Sequence, residues 1–387
     1  MTTSFAVWMS SLGALMPAKN GLLPWNESLS AKAAPIQTAV EAANAEDLAR
    51  ALHGEATQRM ADFLAGVKAY RRHPYRRTAI DPDPIWTAGS AKLRDYGGTG
   101  QPVLLVPSLI NRAYILDLDA KNSLARYLKH RGWRPLLMDW DAPSAAEAGF
   151  DLDEYIMGYL AQALAEARKL GGAPVPVVGY CMGGLLALAL AQHHGADVAG
   201  LALLATPWDF HANRSGQAGL FAMATPQVEA AGKTDGMIPV DVLQMMFASM
   251  SPSLIQAKFR RFAGMDPAGE QAHAFVALED WLNDGVPLTG PVGRTCLHGW
   301  YGENLPGRDL WKIGGRIIRP EAIDRPALVA IPGRDHIVPP ESAQPLADRL
   351  PRAEVMTPAA GHIGMVVGRR AREQLWDPLD AWLRKTV

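Results

Sequence analysis

From residue 101 onward the chain alternates short, almost uninterrupted apolar runs with helical segments, and this rhythm constrains the fold more than any single motif. "PVLLVPSLI" is followed by "SLARYLKHRG", "RPLLMDW", "DLDEYIMGYLAQALAEARKLGG", "PVPVVG", a helix after Gly183 and "VAGLALLATP". Strands with no polar face, separated by helices, predict an α/β protein whose mostly parallel sheet is covered on both sides. In the longest of these helices Asp151 can cap the first turn, Glu154 sits three residues on, and Gly171 with Gly172 ends it. The alternation stops between about Phe210 and Pro320, where "VDVLQMMFASM" and "QAHAFVALEDWLNDG" read as helices and no convincing strand appears. It resumes with "PALVAIPGRD", "ESAQPLADRLP", "AEVMTPAAGH" and a last helix through Trp376 and Trp382. The economical organisation is a helical N-terminal extension and linker over 1–95, a core over 96–209, a helical cap inserted over 210–320, and the rest of the core over 321–387. In the extension, residues 30–72 carry Ala, Leu and alternating charges at helical spacing, and "HPYRRTAIDPDPIW" breaks that pattern with three prolines.

One strand-to-helix junction carries chemistry. Gly179, Cys181 and Gly183 form G-x-C-x-G in "PVPVVGYCMGG", the context of a nucleophile elbow, where a tight turn exposes the nucleophile above the sheet and the helix N-terminus favours negative charge. Taken alone, Cys181 could be a small buried hydrophobe, as most free cysteines are. Two later residues argue against that. Asp335 follows the apolar strand of "VAIPGRDHIVPP", and His362 follows the next strand in "EVMTPAAGHIG". Nucleophile, acid and histidine in this order, each at a strand end, are the pattern of an α/β-hydrolase fold. A thiol with a pKa of about 8.5 is only a few per cent thiolate at neutral pH, so His362 would take its proton and Asp335 would orient the imidazole. The oxyanion would need two N–H donors, one from Met182 and one from the loop after the first core strand, near Leu109 or Ile110. His336, beside the acid, is a further candidate for touching substrate.

Other features exclude classes of function. A net charge of −1, without long runs of one sign, leaves no footprint for nucleic acid. "YRRHPYRR" reads as a solvated linker, with the phosphates of a nucleotide-like cofactor as its alternative use. The two cysteines, Cys181 and Cys296, cannot build a disulfide framework and fit a reducing compartment. The N-terminus lacks the basic residues of a signal peptide and is read as retained, which points to the cytoplasm. The window from Pro174 to Gln192 is about membrane-length and almost uncharged, but Pro176 and the turn glycines divide it, so no transmembrane segment is expected. Gly232, Lys233 and Thr234 resemble a fragment of a phosphate loop, yet Gln227 stands where its first glycine belongs and no strand precedes it. His193 and His194 are adjacent and point in different directions, so no metal site is expected. The cap methionines Met245, Met246 and Met250 suit either an adaptable acyl pocket or packing within the cap. Cys296 has neither elbow glycines nor a paired histidine and is read as non-catalytic.

These residues resemble the polyhydroxyalkanoate synthases, most closely the short catalytic subunits of the two-subunit type. The matching stretches are "PSLINRAYILDL" (Pro107 to Leu118), "MDWDAPSAAEAGFDLDEYI" (Met138 to Ile156), "GYCMGG" (Gly179 to Gly184), "LEDWLNDG" (Leu278 to Gly285), "RDHIVPPESA" (Arg334 to Ala343) and "GHIG" (Gly361 to Gly364). The resemblance spans the chain from about Pro102 onward; the first hundred residues depart from it, and "WLNDG" stands where the long single-chain synthases carry W-N-x-D. It implies an acyltransferase that moves 3-hydroxyacyl groups from coenzyme A, a substrate rather than a resident cofactor, through a cysteine thioester to a hydroxyl acceptor on a growing polyester. In that family the cysteine, aspartate and histidine of these motifs are catalytic, and they fall on Cys181, Asp335 and His362. The resemblance also implies a homodimer, an accessory synthase subunit and a place at polyester granules as possibilities. A thioesterase, esterase or polyester depolymerase would use the same three residues with water as acceptor. A granule-associated or partner-binding paralogue without turnover is the alternative of another class.

Overall fold

Main-chain pairing from Pro84 to Met356 builds a sheet of eight strands in a computed structural model that describes residues 13, 17, 19–22, 30–212, 236–250 and 252–387. The phosphate-loop-like fragment at 227–234 lies outside the described residues. Two compact units are present, one formed by residues 76–246 and 277–387, the other by residues up to 75 together with 247–276.

In the first unit the chain enters the sheet through an antiparallel hairpin of β1 (Pro84–Ala88) and β2 (Ala91–Asp95), turned at Gly89, whose φ is 54°. This departs from the expected helix and linker over 1–95. Only Ala91 and Leu93 of β2 are fully buried, so the alternation is too short to stand out against Pro82 and Pro84. The sequence then runs β3 (Pro102–Val106), α1 (Leu124–His130), β4 (Arg134–Asp139), α2 (Ala161–Gly171), β5 (Val175–Tyr180), α3 (Met182–His193) and β6 (Val198–Leu204). After the insertion come β7 (Ala327–Ala330), α4 (Pro340–Arg349), β8 (Ala353–Met356) and α5 (Asp377–Thr386). The strand order is 1-2-4-3-5-6-7-8, parallel except for β2. This is the α/β-hydrolase fold expected from the alternation.

Central strands without a polar face explain the arrangement. Val103, Leu104, Leu105 and Val106 of β3 are all fully buried, as are Val175 and Val177 of β5. With right-handed crossovers, α1 lies on one face and α2, α3 and α4 on the other. Helix α5 returns to the face of α1, where Asp380 accepts from Trp133 Nε1 at 2.7 Å and Arg131 Nε at 2.8 Å, and Tyr127 donates to Asp377. The insertion leaves after β6 and is closed at its base by Asn304, whose Nδ2 donates to Asp209 at 2.8 Å while its Oδ1 accepts from Phe210 N–H. Within it Met237–Ile238 pairs with Leu288–Thr289, and Lys312–Ile313 with Arg316–Ile317, two short ribbons where only helices were expected.

The expected contiguous cap over 210–320 also divides. Residues 247–276 belong to the smaller unit, where the helix Pro252–Ala263 packs on the long helix Ala45–Arg72. Phe63, Tyr70, Phe259, Phe262 and Phe275 form the contact, with Phe262 and Phe275 stacked at 4.4 Å. The helices approach closely at Gly66, where a Cβ would fall 1.9 Å from the Phe259 carbonyl oxygen. Gly66→Ala should therefore separate the pair at a cost of about 1–3 kcal/mol. Amide hydrogen exchange along Ala45–Arg72 should accelerate about tenfold or more, with β3 and β5 unchanged.

Candidate active site

Every candidate group stands at the C-terminal end of a sheet strand, where a parallel sheet leaves its loops free to diverge. Cys181 lies between β5 and α3 with φ 55° and ψ −124°, a conformation that L-residues hold only under constraint. The constraint is visible on both sides of the turn. Cys181 N–H donates to Leu204 O at 2.8 Å, and its carbonyl accepts from Gly184 N–H at 2.9 Å. A Cβ at Gly179 would stand 2.5 Å from Gly184 Cα, and one at Gly183 would stand 2.1 Å from Val106 O. At Gly184 it would stand 1.9 Å from Thr206 Oγ1, so the second glycine of "MGG" is as necessary as the two of the motif.

The three sequence-predicted side chains come together. Asp335 and His362 follow β7 and β8, and both are buried. His362 Nδ1 lies 2.7 Å from Asp335 Oδ2, while Asp335 Oδ1 accepts from Ile337 and Val338 N–H, both at 2.8 Å. The carboxylate is thus held by main chain on one oxygen and presents the other to the ring. The side chain of Cys181 is near enough to His362 to act on the charge of its ring. Burial disfavours the imidazolium, but Cys181, when it carries its negative charge, and the bond to Asp335 outweigh it, and the pKa of His362 is pushed up to about 10.

Of the proposed main-chain donors, Met182 is the first residue of α3 and its N–H has no acceptor among the described residues. Ile110 N–H is engaged by Ser108 Oγ at 3.3 Å, whereas Leu109 N–H has no acceptor among the described residues, which favours Leu109 of the two. His336 is exposed beside Asp335. Met245 is exposed and Met246 packs against the main core, while the side chain of Met250 lies outside the described residues. Cys296 is buried, and burial pushes its thiol well above the ordinary range. Sequence reasoning missed Tyr180. It is buried under the elbow, its ring 5.2 Å from that of His362 and its hydroxyl 3.4 Å from the His362 carbonyl oxygen. Burial and the charges of Cys181 and Asp335 push its phenol far up, so it stays neutral. Nothing in the spacing of the motif marks it.

A family model described as the alpha/beta hydrolase fold matches residues 101–368. The chain belongs to the α/β-hydrolase fold family. Within that family it is similar to proteins named poly(3-hydroxyalkanoate) polymerase subunit PhaC. The one from Haloarcula marismortui is 31% identical over 288 residues, 73% of this chain and 60% of the relative. The one from Haloferax mediterranei is 29% identical over 291 residues, 73% of this chain and 58% of the relative. The chain therefore spans about three-fifths of the length of these two. For the one from Thiocystis violacea, 28% identical over 291 residues, the match is 73% of this chain and 81% of the relative.

The balance at His362 is testable in this protein of the α/β-hydrolase fold. Cys181→Ala removes the charge that contributes most to raising the ring's pKa and leaves burial, which lowers it, opposed by Asp335 alone. The ring's pKa should fall by about one unit or more, read by imidazole NMR titration of both proteins.

Proposed function

We propose that the chain is an acyltransferase of the polyhydroxyalkanoate synthase type. It would move 3-hydroxyacyl groups from coenzyme A through a thioester on Cys181 to a hydroxyl acceptor. The observation that carries the reading is a thiol, in place of a hydroxyl, at a strained elbow facing the His362–Asp335 pair, in a chain similar to polymerase subunits.

In the first half-reaction His362 accepts the Cys181 proton, and the thiolate attacks the thioester carbonyl of the acyl-coenzyme A. The tetrahedral oxyanion is met by Met182 N–H and by Leu109 or Ile110 N–H. Collapse breaks the bond to coenzyme A, whose thiolate leaves with the proton held on His362, and Cys181 keeps the acyl group. In the second half-reaction His362 takes the proton of the acceptor hydroxyl, whose oxygen attacks the acyl-Cys181. The ester forms and Cys181 departs as thiolate beside the imidazolium. Asp335 orients the ring throughout. Exchange of one thioester for another keeps the acyl group activated until a hydroxyl arrives. No resident cofactor is needed in this scheme.

The relatives' designation as subunits supports an accessory synthase subunit, and a homodimer belongs to the same proposal. The proposed location is the cytoplasm, at the surface of polyester granules. No helix among the described residues is long and apolar enough to cross a membrane.

Two measurements test the reading. With 3-hydroxybutyryl coenzyme A, Cys181→Ala should release no thiol, His362→Ala should lose nearly as much activity, and the double variant should be little worse than either. In single turnover the acyl group on Cys181 should persist in buffer and leave faster when a hydroxyacyl acceptor is added, yielding ester. Rapid decay to free 3-hydroxy acid, indifferent to acceptor, would make the protein a hydrolase using the same three residues. An intact acyl-enzyme that never forms would leave only a partner-binding role.

A further inference from the structure

The segment Trp281–Val286, at the end of the "LEDWLNDG" stretch, reaches the loop after β3 that carries the second proposed oxyanion donor, and bonds main-chain atoms of that loop. Trp281, 5% exposed, donates from Nε1 to Arg112 O at 2.8 Å. Val286 N–H donates to Ile110 O at 3.0 Å, and Asn111 forms an antiparallel bridge with Gly285. Around these bonds Arg112 Nε lies 3.3 Å from Asp284 Oδ1, and Tyr114 donates to Asp284 Oδ2 at 3.1 Å. At the other end of the loop Trp140 Nε1 donates to Pro107 O at 3.0 Å, and Gly183 allows α3 to lie against the same carbonyl.

Each of these bonds fixes a peptide plane, because a planar amide turns its C=O and N–H together. Leu109 and Ile110 therefore sit between two restraints. One, at Pro107, belongs to the core; the other, at Ile110 to Arg112, belongs to the insertion. An N–H that must meet an oxyanion at hydrogen-bond distance loses most of its effect if the plane can rock.

We infer that Trp281 and the Asp284–Val286 turn are positioning elements that hold the Leu109–Ile110 peptide planes in register with Met182, so that the insertion completes the oxyanion site. The inference rests on the acyl-transfer reading above. It gives Trp281 a role through its indole N–H, distinct from filling space.

Trp281→Phe keeps an aromatic ring, smaller than the indole, and removes the donor; an alkylation control separates loss of the donor from loss of packing. For thiol release from 3-hydroxybutyryl coenzyme A, kcat should fall about 10- to 100-fold while KM stays within about twofold. The rate of Cys181 alkylation by iodoacetamide should not change, because displacement of iodide by the thiolate develops no oxyanion and reports only on Cys181 and His362. Gly285→Ala, whose Cβ would press on Val240 Cγ1 at 2.6 Å, should give the same split. An unchanged kcat in Trp281→Phe overturns the inference, as does a parallel fall in alkylation, which would mark a general structural loss. Failure of the underlying reading is seen separately, as thiol release that survives in Cys181→Ala.

Discussion

The backbone at Cys181 is the constraint on which the other parts of the site depend. A φ of 55° at a residue with a side chain costs about 1–3 kcal/mol and persists only where its surroundings over-determine it. Here the surroundings are Leu204 O on one side, Gly184 N–H on the other, and three glycines where neighbouring atoms leave no room for a Cβ. The same close approach that requires Gly183 brings the start of α3 against the Val106 and Pro107 carbonyls. The helix N-terminus and the loop after β3 are thereby set side by side, and two candidate donors from distant parts of the chain become neighbours. In the proposed mechanism the oxyanion site is therefore a property of main chain, held by packing before any substrate arrives.

Electrostatics then divides the proposed reaction into two states of one histidine. With Cys181 as thiolate, the charge facing His362 outweighs burial and keeps the ring protonated. Once Cys181 carries an acyl group that charge is gone, and burial, which is the largest influence and acts downward, is opposed by Asp335 alone. The balance then moves toward the neutral form, the one able to accept a proton from an acceptor hydroxyl. Asp335 does not need to change state in either step. Its second oxygen is committed to Ile337 and Val338 N–H, which fixes the carboxylate and, through it, the ring.

Those parts of the fold that rest on strongly apolar strands and on chain order were legible in the sequence. The β3 to β8 alternation, the elbow at Cys181 and the order Cys181, Asp335, His362 needed no distances. What was not legible has physical causes. The β1–β2 hairpin buries only Ala91 and Leu93 of β2 completely, too little periodicity to compete with nearby prolines. The split of the insertion depends on which aromatic stripe finds a partner, and Phe259 and Phe262 meet Phe63, Tyr70 and Phe275 within the smaller unit. Tyr180 and the preference for Leu109 over Ile110 rest on one ring contact and one Ser108 hydroxyl, neither of which leaves a spacing signal.

A thiol nucleophile on a fold that otherwise suits hydrolysis raises the question of what keeps water from finishing the reaction. In the proposed reaction the thioester on Cys181 would be as activated as the one it came from, so water at about 55 M would compete with a far scarcer hydroxyl at every turnover. Holding the hydroxyl in attack geometry can outweigh that concentration, since well-oriented partners behave as though present at about 10⁵–10⁸ M. Such orientation needs walls that do not move relative to the acyl group. In the larger unit the insertion is tied into the loop after β3 by Trp281 and Val286 and closed at its base by Asn304 and Asp209, so this part of it is bonded to the main chain of the loop that carries the second proposed donor. On this reading the choice between acyl transfer and hydrolysis does not lie in the three side chains that perform the chemistry. It lies in how firmly the insertion is coupled to the loop that stabilises the oxyanion.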